Sequence, residues 1–399
     1  MLFRSRGKKY VLMHKDIPVL RGEYDLSTHS FRRVESIMNP NHMPVGTMYD
    51  GEIGLERFNH WIRWRGIPEY RVGLDQLLDK LGIEHPSDLL DMEYALSVSD
   101  HYWIKPANDR NTYEDLNFFE RDFAQEEFGK AMFSTIRFEA SDAALHTPNN
   151  TLCGYHRKAW FHRGSSLMLY KGGSPWFQQE PVMEWMASEI GVRLGMDVVK
   201  YDVKVYENQL VSECKNMLDL DTDLVPADDI LYAGMKKKGE IVLDYYMNLL
   251  ESHHVPNAME AMDDMMILDF MLMNTDRHNQ NFGILVDANT MEWLKVAPIF
   301  DTGTCLGALK SDEDLEHIQE FEYKLFRGRV IVDERLIGII AKHGSYDFSA
   351  LDDMPVALAR KLAKFQDVSG MRNERIQLLA NLLGARIERM KRLQLREGG

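Results

Sequence analysis

The stretch from 274 to 303 constrains this chain most, because it holds two polar segments that are each flanked by apolar sequence. The first reads Asn274-Thr-Asp276-Arg-His278-Asn-Gln-Asn281 and follows a Met-rich helix predicted over 259–273. The second reads Val296-Ala-Pro-Ile-Phe-Asp301-Thr-Gly303 and predicts a carboxylate between the end of an apolar strand and a turn. Acid and amide side chains gathered in this way beside a hydrophobic core indicate a site for chemistry.

The residue types in these segments suit phosphoryl transfer. That reaction needs a carboxylate to orient or deprotonate the attacking hydroxyl, and oxygen ligands that hold magnesium against the phosphates. Asp276 and Asn281 have the Asp-x4-Asn spacing of protein kinase catalytic loops, and Asp301 precedes Thr-Gly where those enzymes carry Asp-Phe-Gly. The Asp-x4-Asn spacing alone is equally consistent with a helix-capping loop. Both segments in this order favour a kinase that uses ATP and magnesium.

His278 and Asp269 need separate interpretations. His278 is a catalytic candidate because a loop imidazole could orient Asp301 or the loop backbone through a hydrogen bond, although a structural role is commoner for such a histidine. Asp269 lies within the predicted helix, which should hold it away from the loop. We therefore expect Asp269 to be a buried support that acts through hydrogen bonds.

A cation for the nucleotide phosphates is predicted upstream. Lys171 ends a predicted strand, where its mobile ammonium could reach the α- and β-phosphates. The helix predicted next, over 181–194, offers Glu180 and Glu184 as carboxylate partners for this lysine. Glu184 fits the helix interior better, and Glu180 near the helix start suits a partner of the helix dipole.

A loop over 151–158 precedes the first strand of this region. Gly154 could bring backbone amides close to a phosphate, and Lys158 ends the loop. One glycine is a weak signal by itself, so both residues are candidates only in combination with Lys171.

The predicted elements indicate an α+β chain. Alternation and turn residues predict strands over 158–162, 167–171, 198–206 and 209–214. In the preceding part, a strand is predicted over 10–13 and helices over 58–64 and 74–81. After about residue 220 the pattern is mostly helical, and it ends in an amphipathic helix over 372–395. We therefore predict an N-terminal mixed region (1–128), a β-rich lobe (129–218) and a helical lobe (219–399).

Composition limits the setting and the partners. The 399 residues carry a formal net charge of −15, which disfavours direct binding to a nucleic acid backbone. Cys153, Cys214 and Cys305 show no CxxC spacing, so neither a disulfide framework nor a zinc site is predicted. The basic N-terminus precedes no apolar run of signal-peptide length, and no apolar stretch is long enough to cross a bilayer. We therefore expect a cytoplasmic protein without a membrane span.

Taken together, these residues resemble the HipA-like serine/threonine kinases. The resemblance covers about residues 145–399 and follows the order Thr151-x-x-Gly154-x-x-x-Lys158, Lys171, Glu184, Asp276-x-His278-x-x-Asn281 and Phe300-Asp301-x-Gly303. It implies a two-lobed protein-kinase-like fold with ATP and magnesium as cofactors. It also implies transfer of the γ-phosphate to a Ser/Thr hydroxyl of a protein.

The same resemblance assigns roles to residues. It implies that Asp276 is the catalytic aspartate, that Asn281 and Asp301 bind the metal, and that Lys171 contacts the ATP phosphates. The strand that contains Glu213 and Cys214 would then lead into the adenine hinge, so both are nucleotide-binding candidates beside Gly154, Lys158 and Glu184.

The resemblance is looser outside the catalytic half. Thr151 stands where the family's phosphate loop has a serine that can be autophosphorylated, and Arg157 replaces a proline. The N-terminal region resembles an extension found in some HipA-like proteins of Gram-positive bacteria and their mobile elements. An antitoxin-like regulatory partner is a further implication, and whether the chain acts as a toxin stays open.

Two other functions stay open. Phosphatidylinositol kinases use an Asp-Arg-His-Asn-x-Asn loop, which residues 276–281 match, so a small-molecule or lipid acceptor is an alternative. A pseudokinase that binds nucleotide without turnover is the second alternative. Titration with ATP and magnesium separates this binding module from an active enzyme.

Overall fold

A computed structural model describes residues 8–136, 139–317 and 334–395 and shows an α+β fold. The predicted α+β class is therefore confirmed. Residues 1–7, which begin the stretch from which we predict no signal peptide, lie outside the described residues.

The N-terminal region mixes strands and short helices. In chain order these elements are β1 (Lys8–His14), β2 (Ile17–Asp25), β3 (Ser30–Ile37), β4 (Met48–Tyr49), β5 (Glu52–Ile53), α1 (Leu55–Trp64), α2 (Leu74–Leu81), α3 (Asp88–Met92), β6 (Tyr102–Pro106), α4 (Tyr113–Leu116) and α5 (Gln125–Phe133). Four strands form an antiparallel sheet of order β3-β2-β1-β6, and β4 pairs with β5. The strand and the two helices predicted for this region are present.

Glycines set the limits of α2. Gly73 precedes the helix with φ of +77°, and Gly82 follows it with φ of +68°. Left-handed backbone is inexpensive only for glycine, so these two residues let the chain turn sharply at both ends. Leu74, Leu77 and Leu81 then pack on α5 and on the strand that follows it.

A second antiparallel sheet follows. Its elements are β7 (Lys158–Arg163), β8 (Ser166–Gly172), α6 (Glu180–Arg193), β9 (Tyr201–Tyr206) and β10 (Gln209–Lys215). The strand order is β7-β8-β10-β9, and α6 packs against β9 and β10. Glu207 and Asn208 form the predicted hairpin turn, with φ of +48° and +58°.

One predicted strand boundary is wrong. The strand predicted over 198–206 begins at Tyr201, because the residues before it bond elsewhere. Val198 forms an isolated parallel bridge with Ile299, and the Val199 N–H donates to the Ile299 carbonyl at 2.9 Å. This pairing ties the β-rich lobe to the segment that leads to Asp301.

The rest of the chain is mostly helical. In chain order it contains β11 (Thr222–Pro226), α7 (Ala227–Ile230), α8 (Val242–Ser252), α9 (Ala258–Leu272), β12 (Gly283–Asp287), β13 (Trp293–Val296), α10 (Asp312–Glu316), α11 (Glu334–His343), α12 (Met354–Lys364), α13 (Gln366–Ser369) and α14 (Asn373–Leu395). Short 3-10 helices occur at Pro40–His42, Asp142–Leu145, Pro148–Thr151 and Phe348–Leu351. The strands form a sheet of order β11-β12-β13.

The helical lobe is organised around α9. This Met-rich helix packs against α6, α8, α11 and α14, so its C-terminal half is buried on nearly all sides. Burial on nearly all sides explains why this half of the helix lacks a polar stripe. Met273 caps the C-terminal end of the helix in the left-handed conformation, with φ of +55°. The chain then leads directly into the first polar segment.

The N-terminal region shares hydrophobic contacts with the second sheet. Met13 and Trp103 belong to the same buried cluster as Trp160 and Leu167 of β7 and β8. The helix α5 also packs on β7. The helix α5 runs through residue 128, where one of the domain boundaries is predicted. The boundaries at 128 and at 218 both stay predictions.

Candidate active site

A buried arginine joins the two polar segments. Arg277 is fully buried, and its Nε and Nη2 donate to the carboxylate of Asp269 at 2.8 and 3.0 Å. Its Nη1 donates to the carbonyls of Asn281 and Phe300, the latter at 2.6 Å. A buried charge is tolerable when it is paired and hydrogen-bonded in this way. Asp269 therefore supports the loop from its helix, as predicted, whereas the part played by Arg277 went unpredicted.

The first loop is further shaped by amide side chains. Asn281 Nδ2 donates to the Asp276 carbonyl at 2.8 Å, and the Asp276 N–H donates to Asn274 Oδ1 at 3.0 Å. This leaves the amide oxygen of Asn281 as the acceptor end of that side chain. Asp276 is half-buried in the loop, so its carboxylate is held by a backbone that the amides fix.

Lys171 lies between two carboxylates. Its Nζ donates to Glu184 Oε1 and, at 2.6 Å, to Asp301 Oδ1. Burial would by itself raise the pKa of the Asp301 carboxyl, but the charges of Lys171 and Lys158 reverse this effect and hold that pKa far below its usual range. Burial alone would lower the pKa of Lys171, whereas Asp301 and Glu184 raise it well above the ordinary value. Lys171 and Asp301 are therefore both charged at neutral pH.

Glu184, rather than Glu180, contacts Lys171. The second oxygen of Glu184 accepts from Thr302, at 3.1 Å from the backbone N–H and at 3.3 Å from the hydroxyl. Glu180 instead accepts from Ser174, at 2.9 Å from its backbone N–H and at 3.2 Å from its hydroxyl. The helix α6 thus links the lysine strand to the residues directly after Asp301.

In the loop over 151–158, the side chain of Lys158 packs directly against Gly154. Gly154 has φ of +114°, and a Cβ built on it would lie 2.3 Å from Lys158 Nζ. Lys158 is buried, its Nζ donates to the Cys153 carbonyl at 3.2 Å, and burial lowers its pKa despite the nearby charge of Asp301. Any residue other than glycine would therefore displace this lysine.

The predicted residues meet at a cavity of about 560 Å³. The sequence candidates that line it are Gly154, Lys158, Lys171, Cys214, Asp276, His278, Asn281 and Asp301. Glu184 is buried behind Lys171. One cavity therefore holds the two polar segments, the strand lysine and the glycine loop.

Two candidates lie differently from their predicted places. Glu213 does not line the cavity, and its carboxylate pairs with Lys204 at 2.7 Å. Successive strand residues face opposite sides of a sheet, so Cys214 and Glu213 cannot both face the cavity. His278 is exposed, and its Nδ1 accepts from the Gln280 N–H at 3.2 Å rather than contacting Asp301.

The N-terminal region supplies one wall of the same cavity, which the sequence did not predict. The wall is aromatic and basic and contains Arg57, His60, Trp61, Trp64, Arg65 and Tyr70. Its arginines are paired: Arg57 with Asp229, and Arg65 with Asp100. Trp64 and Tyr70 are partly exposed. No local pattern marks such residues, because their role depends on how two regions pack.

A histidine–aspartate–histidine cluster lies where the N-terminal region meets β11. Asp223 Oδ2 lies 2.8 Å from His14 Nε2, and Asp223 Oδ1 lies 2.5 Å from His101 Nδ1. His14 Nδ1 also lies 2.9 Å from His42 Nδ1. His14, His101 and Asp223 are residue types that can bind a metal ion, and their candidate ligand atoms lie within 4.8 Å of one another. Each of the two imidazoles, however, contacts a different oxygen of the Asp223 carboxylate. Hydrogen bonds therefore account for this cluster, which joins the two regions.

Within the described ranges, no helix combines the length and apolar character needed to cross a membrane.

No family model matches the chain. The chain is 29% identical over 153 residues to the serine/threonine-protein kinase CtkA of Helicobacter pylori, a match that covers 36% of this chain. The chain spans about half the length of this curated relative, since the match covers 47% of it.

Two solved structures are similar in fold. The HipA of Shewanella oneidensis MR-1, solved with HipB and operator DNA, matches at a TM-score of 0.56 and 15% identity, over 96% of this chain and 99% of that chain. The crystal structure of a Helicobacter pylori proinflammatory kinase CtkA matches at a TM-score of 0.47 and 19% identity, over 60% of this chain and 93% of that chain. The match to HipA shows that the chain has a HipA-like fold, which confirms the fold that the resemblance implies.

Proposed function

We propose that this protein is an ATP- and magnesium-dependent kinase that transfers the γ-phosphate to a Ser or Thr hydroxyl of a protein. The observation that carries the proposal is the convergence, at one cavity, of the Lys171–Asp301 ion pair with Asp276 and Asn281. The partial sequence similarity to a serine/threonine-protein kinase supports the same reaction class.

The donor groups fit a nucleotide with its metal. Asn281 and Asp301 offer an amide oxygen and a carboxylate, which are the hard ligands that magnesium prefers. Lys158 brings a second buried ammonium group to the cavity beside Lys171, and polyphosphate would compensate the charge of Lys158. Magnesium, when bound, would neutralise charge on the transferred phosphoryl group.

Each residue then has a role in the proposed reaction. Asp276 accepts or orients the proton of the attacking hydroxyl, Asn281 and Asp301 hold the metal, and Lys171 contacts the phosphates. Glu184 keeps Lys171 in place, which is the arrangement that active protein kinases require. Cys214 faces the part of the cavity where the adenine would lie. His278 has no role in the proposed chemical step and is a structural residue of the loop.

A polypeptide acceptor suits the N-terminal wall. Trp64 and Tyr70 present partly exposed rings to the cavity that contains Asp276. Tyrosine and tryptophan are enriched where proteins recognise other proteins. The paired arginines of the wall leave little free positive charge for an anionic lipid headgroup. We therefore favour a protein over a phosphoinositide-type acceptor.

The test is transfer of radiolabelled γ-phosphate with magnesium, with the protein itself and a cell lysate offered as acceptors. Wild type is compared with Asp276→Asn and with Glu251→Gln, a control that removes an exposed carboxylate on α8. Label on a protein band that is lost only in Asp276→Asn supports the proposal. ATP binding without label on any protein would favour a small-molecule acceptor or a pseudokinase.

An antitoxin-like partner and a cytoplasmic location stay predictions for this chain. Co-purification of the chain with the product of an adjacent gene would test the first. Cell fractionation would test the second.

A further inference from the structure

The loop over 151–158 is held by hydrogen bonds from the N-terminal region. Arg71 Nε donates to the Gly154 carbonyl at 3.1 Å, and Arg71 Nη2 donates to the Leu152 carbonyl. The Val72 N–H donates to the Tyr155 carbonyl at 2.9 Å. Three carbonyls of the loop therefore accept from two adjacent residues that precede α2.

These contacts fix the direction of the loop's amide groups. Each peptide unit is planar and trans, so the N–H that follows a carbonyl points the opposite way. Carbonyls 152, 154 and 155 are directed at the N-terminal region, so the N–H groups of residues 153, 155 and 156 are directed away from it. Backbone N–H groups aligned in this way form the concave sites that bind phosphate.

Arg71 also brings an uncompensated charge to the loop. It is almost fully buried, and burial lowers the pKa of its guanidinium to about 10, so it stays protonated at neutral pH. Among the described residues it forms no ion pair, and its Nη1 is buried without a hydrogen-bond partner. A buried cation of this kind favours an anion nearby, because unpaired buried charge is costly.

A second contact anchors the start of the loop. Thr151 Oγ1 is buried and donates to the Leu96 carbonyl at 2.6 Å and to the Pro148 carbonyl at 3.1 Å. Leu152 packs in one buried cluster with Leu96 and Val98. The N-terminal region therefore holds both the beginning and the glycine turn of the loop.

We propose that Arg71 is a positioning residue for the phosphates of the nucleotide, and that the N-terminal region thereby sets the affinity of the kinase lobes for ATP. This inference rests on the proposed function, since it takes the loop over 151–158 to be a phosphate site. Arg71 acts through the loop backbone and touches neither the adenine side of the cavity nor Asp276. Its effect is therefore confined to ligands that carry phosphates.

The experiment compares the affinities for ATP with magnesium, for ADP and for adenosine, measured by calorimetry. The variants are Arg71→Met, the milder Arg71→Gln, and Arg63→Met as a control that removes an exposed arginine of α1. In Arg71→Met we expect ATP and ADP to bind at least tenfold more weakly, with adenosine within twofold of wild type. Hydrogen exchange at residues 153–156 should also become faster.

An unchanged ratio of ATP to adenosine affinity in the Arg71 variants would overturn the inference, even if the wild type transfers phosphate. Equally weaker binding of all three ligands is one form of this outcome, and it would indicate a general loss of structure. If Arg71→Met does not fold, Arg71→Gln carries the same comparison. A wild type that binds adenosine but shows no preference for ATP would instead contradict the proposed function, and with it this inference.

Discussion

The polar side chains of the candidate site fall into two groups. Lys171 forms ion pairs with both Glu184 and Asp301, so the two carboxylates depend on this lysine for their place and the lysine depends on them. Asp276 and Asn281 are instead held by the backbone of their own loop. Substitutions in the first group should therefore affect binding and stability together, and substitution of Asp276 should affect chemistry alone.

Asp301→Asn should abolish magnesium-dependent ATP binding, because it removes the negative charge that faces the metal. Asp276→Asn should leave ATP affinity within about twofold and lower turnover by roughly 10²- to 10⁴-fold, the usual range for a lost proton acceptor. Calorimetry and single-turnover kinetics on both variants check this. Full turnover in Asp276→Asn would contradict the assignment of the catalytic aspartate.

Glu184→Gln should lower kcat/KM by about 10- to 100-fold. It should also destabilise the fold by about 3 kcal/mol, the lower end for a broken buried ion pair, since Lys171 keeps one of its two carboxylates. Glu180→Gln is the matched control one helical turn away, and it should leave the KM for ATP unchanged. Steady-state kinetics and denaturant unfolding of both variants test this pairing. Equal kinetic effects of the two substitutions would argue against a special role for Glu184.

Helix α6 approaches the chain after Asp301 very closely. A Cβ built on Gly303 would lie 3.2 Å from the Glu180 Cβ and 3.3 Å from the Glu184 Cγ. Those neighbours belong to a buried helix that cannot move far, because its other side packs in the main core. The Asp-x-Gly pattern is therefore explained by packing as well as by chemistry.

Gly303→Ala should destabilise the protein by about 1–3 kcal/mol through this close contact. Gly384→Ala is the control, since its Cβ would meet Pro355 at an ordinary 3.5 Å and a helical glycine gains from the change by up to about 1 kcal/mol. Thermal unfolding of both variants measures the difference. A stability for Gly303→Ala at or above wild type would refute the tight packing of α6.

The N-terminal region and the rest of the described chain form one structure through buried polar contacts and a shared core. Asp223 receives His14 from β1 and His101 from just before β6. Burial alone would raise the pKa of Asp223, but its hydrogen bonds with His101 and His14 lower that pKa to about 2. Stability of the whole molecule should therefore depend on the ionisation of one carboxylate between the regions.

The lowered pKa fixes the sign of this dependence. The stabilising contribution is complete above the ordinary pKa of 3.8 and is lost as the pH falls from there to about 2. It amounts to about 2 kcal/mol. Asp223→Asn should thus unfold more easily than wild type at pH 6, and the difference should shrink toward pH 2. Asp244→Asn, an exposed aspartate on α8, is the control in these unfolding curves.

The sequence alone located the elements and motifs that are encoded locally. The strand lysine, the helix of Glu184, the hairpin turn at Glu207 and the two polar segments all follow from short-range patterns. The structure brings the lysine and the two polar segments to one cavity. Alternation within β10 would also have excluded Glu213 from the cavity face, had it been applied to the pair with Cys214.

Contacts between distant parts of the chain were decided only by the tertiary structure. The hydrogen bonds of Arg71 to the loop at Gly154 and those of Asp223 with His14 and His101 leave no local pattern in the sequence. Each depends on which surfaces pack together, and a polar pair gains its strength only when packing excludes water from it. Motif and spacing could therefore predict the class of chemistry, whereas the part of the N-terminal region in the cavity required the folded molecule.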